Sequence, residues 1–193
     1  MNAKKQTATQ HLFTNKQLRT LLVPIMVEQL LSSLMGTADT MMVSNVGSAA
    51  ISAVSLVDAI NILVIQALSA LAAGGAILCS QYLGSQNLKK AKRSAEQVLF
   101  VMLVLSCSLS LLCLIFRFPL LRLIFGTVDA DVMANSQIYF FFTLLSFPFI
   151  GLYDAGASIL RAQNNTKGPM TISILSNFLN IGGNAILIFV FGM

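Results

Sequence analysis

Five apolar stretches, at about residues 20–43, 53–80, 95–116, 136–158 and 170–192, occupy most of this 193-residue chain. A helix needs roughly 20 mostly apolar residues to cross about 30 Å of hydrocarbon, and each stretch is long enough to do so. The expected fold is therefore an all-α integral membrane protein with five transmembrane helices, in which residues 1–19 form a polar, basic tail. The first apolar run exceeds a signal-peptide core and lacks a clear small-residue cleavage site, so it reads as a retained helix.

Composition excludes the soluble alternatives. With 56% hydrophobic and 10% charged residues and a mean hydropathy of +0.80, the chain lacks the polar surface that keeps a soluble domain dispersed. The net charge of +5 does not point to nucleic acid, because Lys and Arg sit in short clusters between apolar segments, where lipid headgroups are the natural anionic neighbours. Cys79, Cys107 and Cys113 lie in apolar context without metal-ligand spacing and read as packing residues. The lone His11 cannot build a metal site. No nucleophile stands with a base, so the chain is not expected to be an enzyme, and no cofactor is implied.

Orientation follows from the positive charge. Lys4, Lys5, Lys16 and Arg19 in the tail share a side with Lys89, Lys90, Lys92 and Arg93, and with Arg161 and Lys167; the other side holds Arg117 and Arg122. This asymmetry predicts a cytoplasmic N-terminus. The Asn164-Asn165-Thr166 sequon then lies inside and reads as a polar turn.

Ionisable residues within the spans are the functional candidates, since each costs about 2.5–3.5 kcal/mol to place at the bilayer centre on insertion scales. The first stretch carries Glu28 and Asp39. Their separation turns a helix by about 1,100°, which puts both carboxylates on nearly the same face at two depths, with Ser32 and Met35 between them. Pro24 removes a backbone donor and is a candidate kink. In the fifth stretch Ser173, Asn177, Asn180 and Asn184 follow i, i+4, i+7, i+11 spacing. Two readings stand for this stripe: interhelical hydrogen bonding, with Gly182 and Gly183 permitting close approach, or a set of hard oxygens that joins Asp39 to hold a proton or a small cation such as sodium.

Asp58, Asn61, Gln66 and Ser69 fall within one arc of the second stretch and suggest a polar interior, although Asp58 also reads as an interfacial residue. The small-residue run Ala70–Ala76 reads as tight helix packing, not a phosphate loop. Asp154 and Arg161 share a face but lie too far apart along the fourth helix to pair, so Arg161 is expected to cap its end.

Several motifs in register carry a family resemblance. Pro24-Ile-Met-Val-Glu-Gln-Leu30, Ala38-Asp-Thr-Met-Met-Val-Ser44 with Gly47, Gly84-Ser-Gln-Asn-Leu-Lys-Lys-Ala91, Leu160 to Met170, and Asn177-Phe-Leu-Asn180 through Leu187-Ile188 resemble the first five helices and loops of multidrug and toxic compound extrusion (MATE) transporters. The resemblance implies two six-helix lobes and export of small amphipathic, often cationic drugs or toxic metabolites in exchange for H+ or Na+ across the plasma membrane. It also implies that Asp39 is the helix-one carboxylate central to ion coupling, approached by Asn180 and Asn184. Many relatives have Asp at the position of Asn184, so here the site holds one carboxylate. The chain stops at Phe191-Gly-Met193, and the expectation is a partial N-terminal lobe that lacks its sixth helix and second lobe.

The mechanism expected for the complete protein is that proton uptake by Asp39 discharges the site, weakens its hold on a cationic substrate, and lets helix one bend near Pro24 to release cargo outward. Sodium would use the same oxygens with Asp39 ionised. Two alternatives remain open: a flippase for lipid-linked oligosaccharides from the same superfamily, whose cavity would need cations to hold pyrophosphate, and a truncated fragment that does not transport.

Overall fold

The computed structural model describes residues 14–43 and 47–189, with the side chains of residues 17, 39, 43, 185 and 187–189 outside the described set. Among the described residues there are six helices: α1 (Asn15–Val43), α2 (Ser48–Gly84), α3 (Leu88–Ile115), α4 (Arg117–Phe125), α5 (Ala130–Ala162) and α6 (Lys167–Phe189). By length and composition α1, α2, α3 and α5 can cross a membrane, and the fifth predicted stretch is helical as α6. His11, Lys4 and Lys5 lie outside the described residues.

The helices begin earlier than the apolar stretches do. α3 starts at Leu88, not 95, because Asn87 accepts a hydrogen bond from the Lys90 amide at 3.1 Å and caps a first turn that holds Lys89 and Lys90. The apolar boundary marks where lipid ends, whereas the helix continues as long as its backbone bonds are capped. α1 likewise begins at Asn15, inside the expected tail. The sequence reading also passed over α4, which has Pro119 in its first turn and ends at Gly126 (φ 62°, ψ −131°), a positive-φ conformation that glycine adopts without strain.

α2, α3 and α5 pack as one layer with α4 across its end. Val57, Leu121, Phe140, Leu144 and Phe147 interlock in its core with no more than 1% exposure. Because lipid tails are as apolar as these side chains, the gain comes from close packing and interhelical hydrogen bonds, not from escape from water. The α3–α5 crossing is so close that a Cβ at Gly151 would lie 2.8 Å from Ser106 Cβ, and a Cβ at Gly75 would meet Val98 of α3, as the small-residue reading of Ala70–Ala76 implies. By contrast, nothing lies within 4 Å of a Cβ built at Gly182 or Gly183 among the described residues, which corrects the expectation of close approach there.

α1 and α6 form a second pair, which touches α5 and α2 and is tied to α5 by hydrogen bonds to Glu28. Both helices that contain an internal proline run on through it. Pro24 has no N–H for the carbonyl of Thr20, and that carbonyl accepts the Thr166 hydroxyl at 3.3 Å. Pro148 likewise leaves the Leu144 carbonyl without its in-helix donor, and Ser110 of α3 supplies one at 2.6 Å. Freed carbonyls inside a membrane are tolerated when neighbouring hydroxyls satisfy them, and both prolines meet that condition. The sequon is a turn, as expected: Asn164 takes φ 61°, Asn165 Oδ1 caps the Gly168 amide at 3.2 Å, and Thr166 is buried against α1.

Candidate functional site

Between the α1–α6 pair and the α2–α3–α5 layer lies a cavity of about 970 Å³. α1 contributes Gln29, Ser32, Ser33 and Thr40 to its wall; α2 contributes Asp58, Asn61 and Gln66; α6 contributes Asn180 and Asn184. The α5 wall is Tyr139, Thr143, Ser146 and Ile150. That is the same i, i+4, i+7, i+11 spacing that marks the α6 stripe, so this face was readable in the sequence but was masked by a run of aromatic residues. Met35, Ile62, Ile65 and Phe147 supply apolar wall between the polar groups.

The predicted site residues divide. Asn180 and Asn184 come together on the cavity wall, where the Asn184 Nδ2 donates to Asn180 Oδ1 at 3.2 Å. That bond occupies one of the oxygens a cation would use, so a bound ion there competes with the Asn184 amide. Asn177 is buried one turn away, and its Nδ2 donates at 2.9 Å to the Ser173 carbonyl of its own helix. Such back-bonding satisfies the amide locally and removes it from the cavity. The Asp39 backbone is in α1 between the cavity-lining Gly36 and Thr40; its side chain lies outside the described residues.

Glu28 is placed elsewhere. Its Oε1 accepts from Arg161 at 2.6 Å and from the Tyr153 hydroxyl at 3.1 Å, both from the C-terminal part of α5. This corrects the expectation that Arg161 caps its own helix: its length lets it reach across to α1. Asp154 also finds a partner across helices, accepting the Ser69 hydroxyl of α2. Ser69 thereby leaves the polar arc, whereas Asp58, Asn61 and Gln66 remain in the cavity wall. Asp58 is not an isolated interfacial group, since its Oδ1 accepts the Tyr139 hydroxyl at 3.0 Å and the Asn61 amide at 3.3 Å. Cys79 and Cys113 are buried packing residues; Cys107 is exposed.

Long apolar helices, joined by polar bonds and enclosing a cavity whose largely apolar wall carries carboxylate, amide and hydroxyl groups, define a multi-pass membrane protein. The chain belongs to the MatE family, whose pattern matches residues 24–186. It is 33% identical over 167 residues to the "Uncharacterized transporter YisQ" of Bacillus subtilis (strain 168), covering 86% of this chain and 36% of that protein. It is 26% identical over 169 residues to the "Probable multidrug resistance protein NorM" of Thermotoga maritima, covering 86% of this chain and 35% of the relative. The fold superposes with a TM-score of 0.86 on a crystal structure of MATE in complex with MaD3S, at 22% identity, over 92% of this chain and 39% of that one. The chain thus spans a little over a third of the length of these relatives, and it is a member of a transporter family, not an enzyme.

Proposed function

We propose that this chain is the N-terminal lobe of a secondary antiporter that exports small amphipathic, often cationic compounds in exchange for H+ or Na+. The cavity carries the reading: it lies between two packed sets of helices and is lined by carboxylate and amide groups beside apolar wall. Asp39 is the coupling carboxylate, with Asn180 and Asn184 as its oxygen-bearing neighbours. Discharge of Asp39 by a proton, or occupation of the same oxygens by sodium, weakens the hold on a cationic substrate and shifts the α1–α6 pair against the layer. In this reading a second lobe completes the cavity, and the clustering of positive charge supports a cytoplasmic N-terminus in a plasma-membrane protein.

The flippase alternative is disfavoured because the described cavity lining includes no Lys, Arg or His to hold a pyrophosphate. The deciding experiment is efflux of a cationic dye from membrane vesicles under an imposed proton or sodium gradient. Wild-type protein drives export and Asp39→Asn does not; export by Asp39→Asn at the wild-type rate would overturn the assignment. Native protein detected by antibody only at the 20.8 kDa mass of this chain would favour the fragment reading.

A further inference from the structure

A groove of about 220 Å³ runs along the seam of α2 and α3 and shares no lining residue with the polar cavity. On α3 its wall follows Ser94, Gln97, Val101 and Leu105, at i, i+3, i+7, i+11 spacing, and one turn further back the same row reaches Lys90. On α2, which runs the other way, Leu71, Gly75 and Leu78 form the facing wall, and their row reaches Tyr82, half-buried near the helix end. Both rows therefore end at the α2–α3 turn, one on a phenol and one on a cation. Lys89, Lys90 and Arg93 are exposed at that end and make no ion pair among the described residues, whereas Lys92 lies 3.9 Å from Glu96. The row from Ser94 to Leu105 climbs about 16 Å, close to half of the roughly 30 Å of bilayer hydrocarbon and so the depth of one leaflet. Its floor is closed where a Cβ at Gly75 would meet Val98, and buried Ser94 is already satisfied there, accepting from Cys79 Sγ at 3.6 Å.

We propose that this groove holds one acyl chain of an anionic phospholipid whose phosphate sits on Lys90 and Arg93 at the α2–α3 turn. Charge complementarity selects the occupant. A neutral lipid or an apolar partner helix would cover the leaflet-deep wall but leave the cations at its end without a counter-charge, whereas an anionic lipid answers both with one molecule. Arg93 stands one turn before Gln97 on the same helix face, and its guanidinium can take two phosphate oxygens. Tyr82 sits at headgroup level, where a ring with a polar tip is favoured. Gln97, exposed between the basic end and the apolar wall, offers an amide N–H at the depth of the ester carbonyls. The lipid thereby braces the α2–α3 hairpin from outside and touches none of the residues assigned to transport.

The test is native mass spectrometry of the full protein in detergent, titrated with phosphatidylglycerol or with phosphatidylcholine of the same chains. Wild type is expected to retain phosphatidylglycerol at the lower concentration. Lys90→Gln and Arg93→Gln should each weaken that retention about fivefold and together about thirtyfold, the contribution of one and of two cations at a membrane surface. Val101→Trp, which fills the groove and keeps every charge, should weaken it as well, and Leu105→Trp repeats the test if that variant fails to fold. Lys167→Gln, a basic residue of another turn, should leave it unchanged. Equal retention of both lipids, or no effect of the double charge variant, overturns the site. So does an equal loss in Lys167→Gln, because the attraction then belongs to the whole surface. Unchanged retention in the groove-filling variants, or displacement of the lipid by inorganic phosphate at the same concentration, means that the acyl chain does not lie in the groove and also overturns it. Loss of a dimer peak in Val101→Trp with lipid retention intact would give the groove to a second copy of this chain.

Discussion

Glu28 and Arg161, separated by 133 residues in the chain, meet at 2.6 Å and tie α1 to the C-terminal turn of α5. The Glu28 side chain is 8% exposed and the Arg161 side chain 33%, so the carboxylate is withdrawn while the guanidinium keeps a path to the surface. Glu28 Oε1 takes both Arg161 and Tyr153, and Oε2 is buried without a partner. The pair therefore fixes position more than it adds stability. Two charges drawn partly out of water gain little net energy, but either one left alone is costly.

That asymmetry gives the first prediction. Arg161→Met strands a buried Glu28 and is expected to cost about 2 kcal/mol, less than the loss for a fully buried pair because Arg161 is partly exposed. Glu28→Gln keeps the acceptor for Arg161 and Tyr153 and loses less. Thermal unfolding of both single variants and the double variant checks this: the double variant should be less damaged than the sum, and strict additivity would show that the two residues are not coupled.

The proline bonds give the second. Thr166→Val leaves the Thr20 carbonyl unsatisfied and should cost about 1–2 kcal/mol, whereas Thr166→Ser keeps the bond. In a Pro24→Ala background, the restored backbone amide at position 24 fills that carbonyl, and the cost of Thr166→Val should largely vanish. The same cycle applies to Ser110→Ala and Pro148→Ala. Equal costs in both backgrounds would mean that these hydroxyls do not serve the prolines.

The α3–α5 crossing gives the third. Gly151→Ala brings a methyl to 2.8 Å from Ser106 Cβ and Oγ, so the helices must separate. Overpacking of this kind costs about 1–3 kcal/mol, and Ser106→Gly in the same chain should recover most of it. The melting temperature of the two variants in detergent decides the point.

The α6 asparagines give the fourth. Asn177 is bonded within its own helix, and Asn180 and Asn184 line the cavity. Asn180→Ala and Asn184→Ala are expected to lower transport per folded molecule with little change in melting temperature. Asn177→Ala should do the reverse. A transport loss in Asn177→Ala at unchanged expression and stability would show that its role is not structural.

The helices and most of the polar faces could be read directly from the chain. Spacing alone placed Ser32, Asn180 and Asn184 on faces that reach the cavity, and the Asp58–Asn61–Gln66 arc was visible on α2. Spacing could not separate Asn177 from Asn180, because whether an amide bonds its own helix or faces a neighbour depends on where that neighbour stands. Arg161 illustrates the same limit: distances along one helix excluded Asp154 as its partner but could not bring in Glu28 from another.

What the sequence determined by itself is the class of structure. The length and apolarity of its segments make membrane helices the way to satisfy the backbone in lipid, and periodicity fixes which side chains share a helix face. What only the tertiary structure decided is partnership: Glu28 with Arg161, Thr166 with the carbonyl freed by Pro24, Asp58 with Tyr139, and the cavity between the two sets of helices. The reason is physical. Backbone bonds and rotation along a helix are local and repeat every few residues, whereas a contact between helices depends on crossing positions set by close packing of the whole layer, which no single segment encodes.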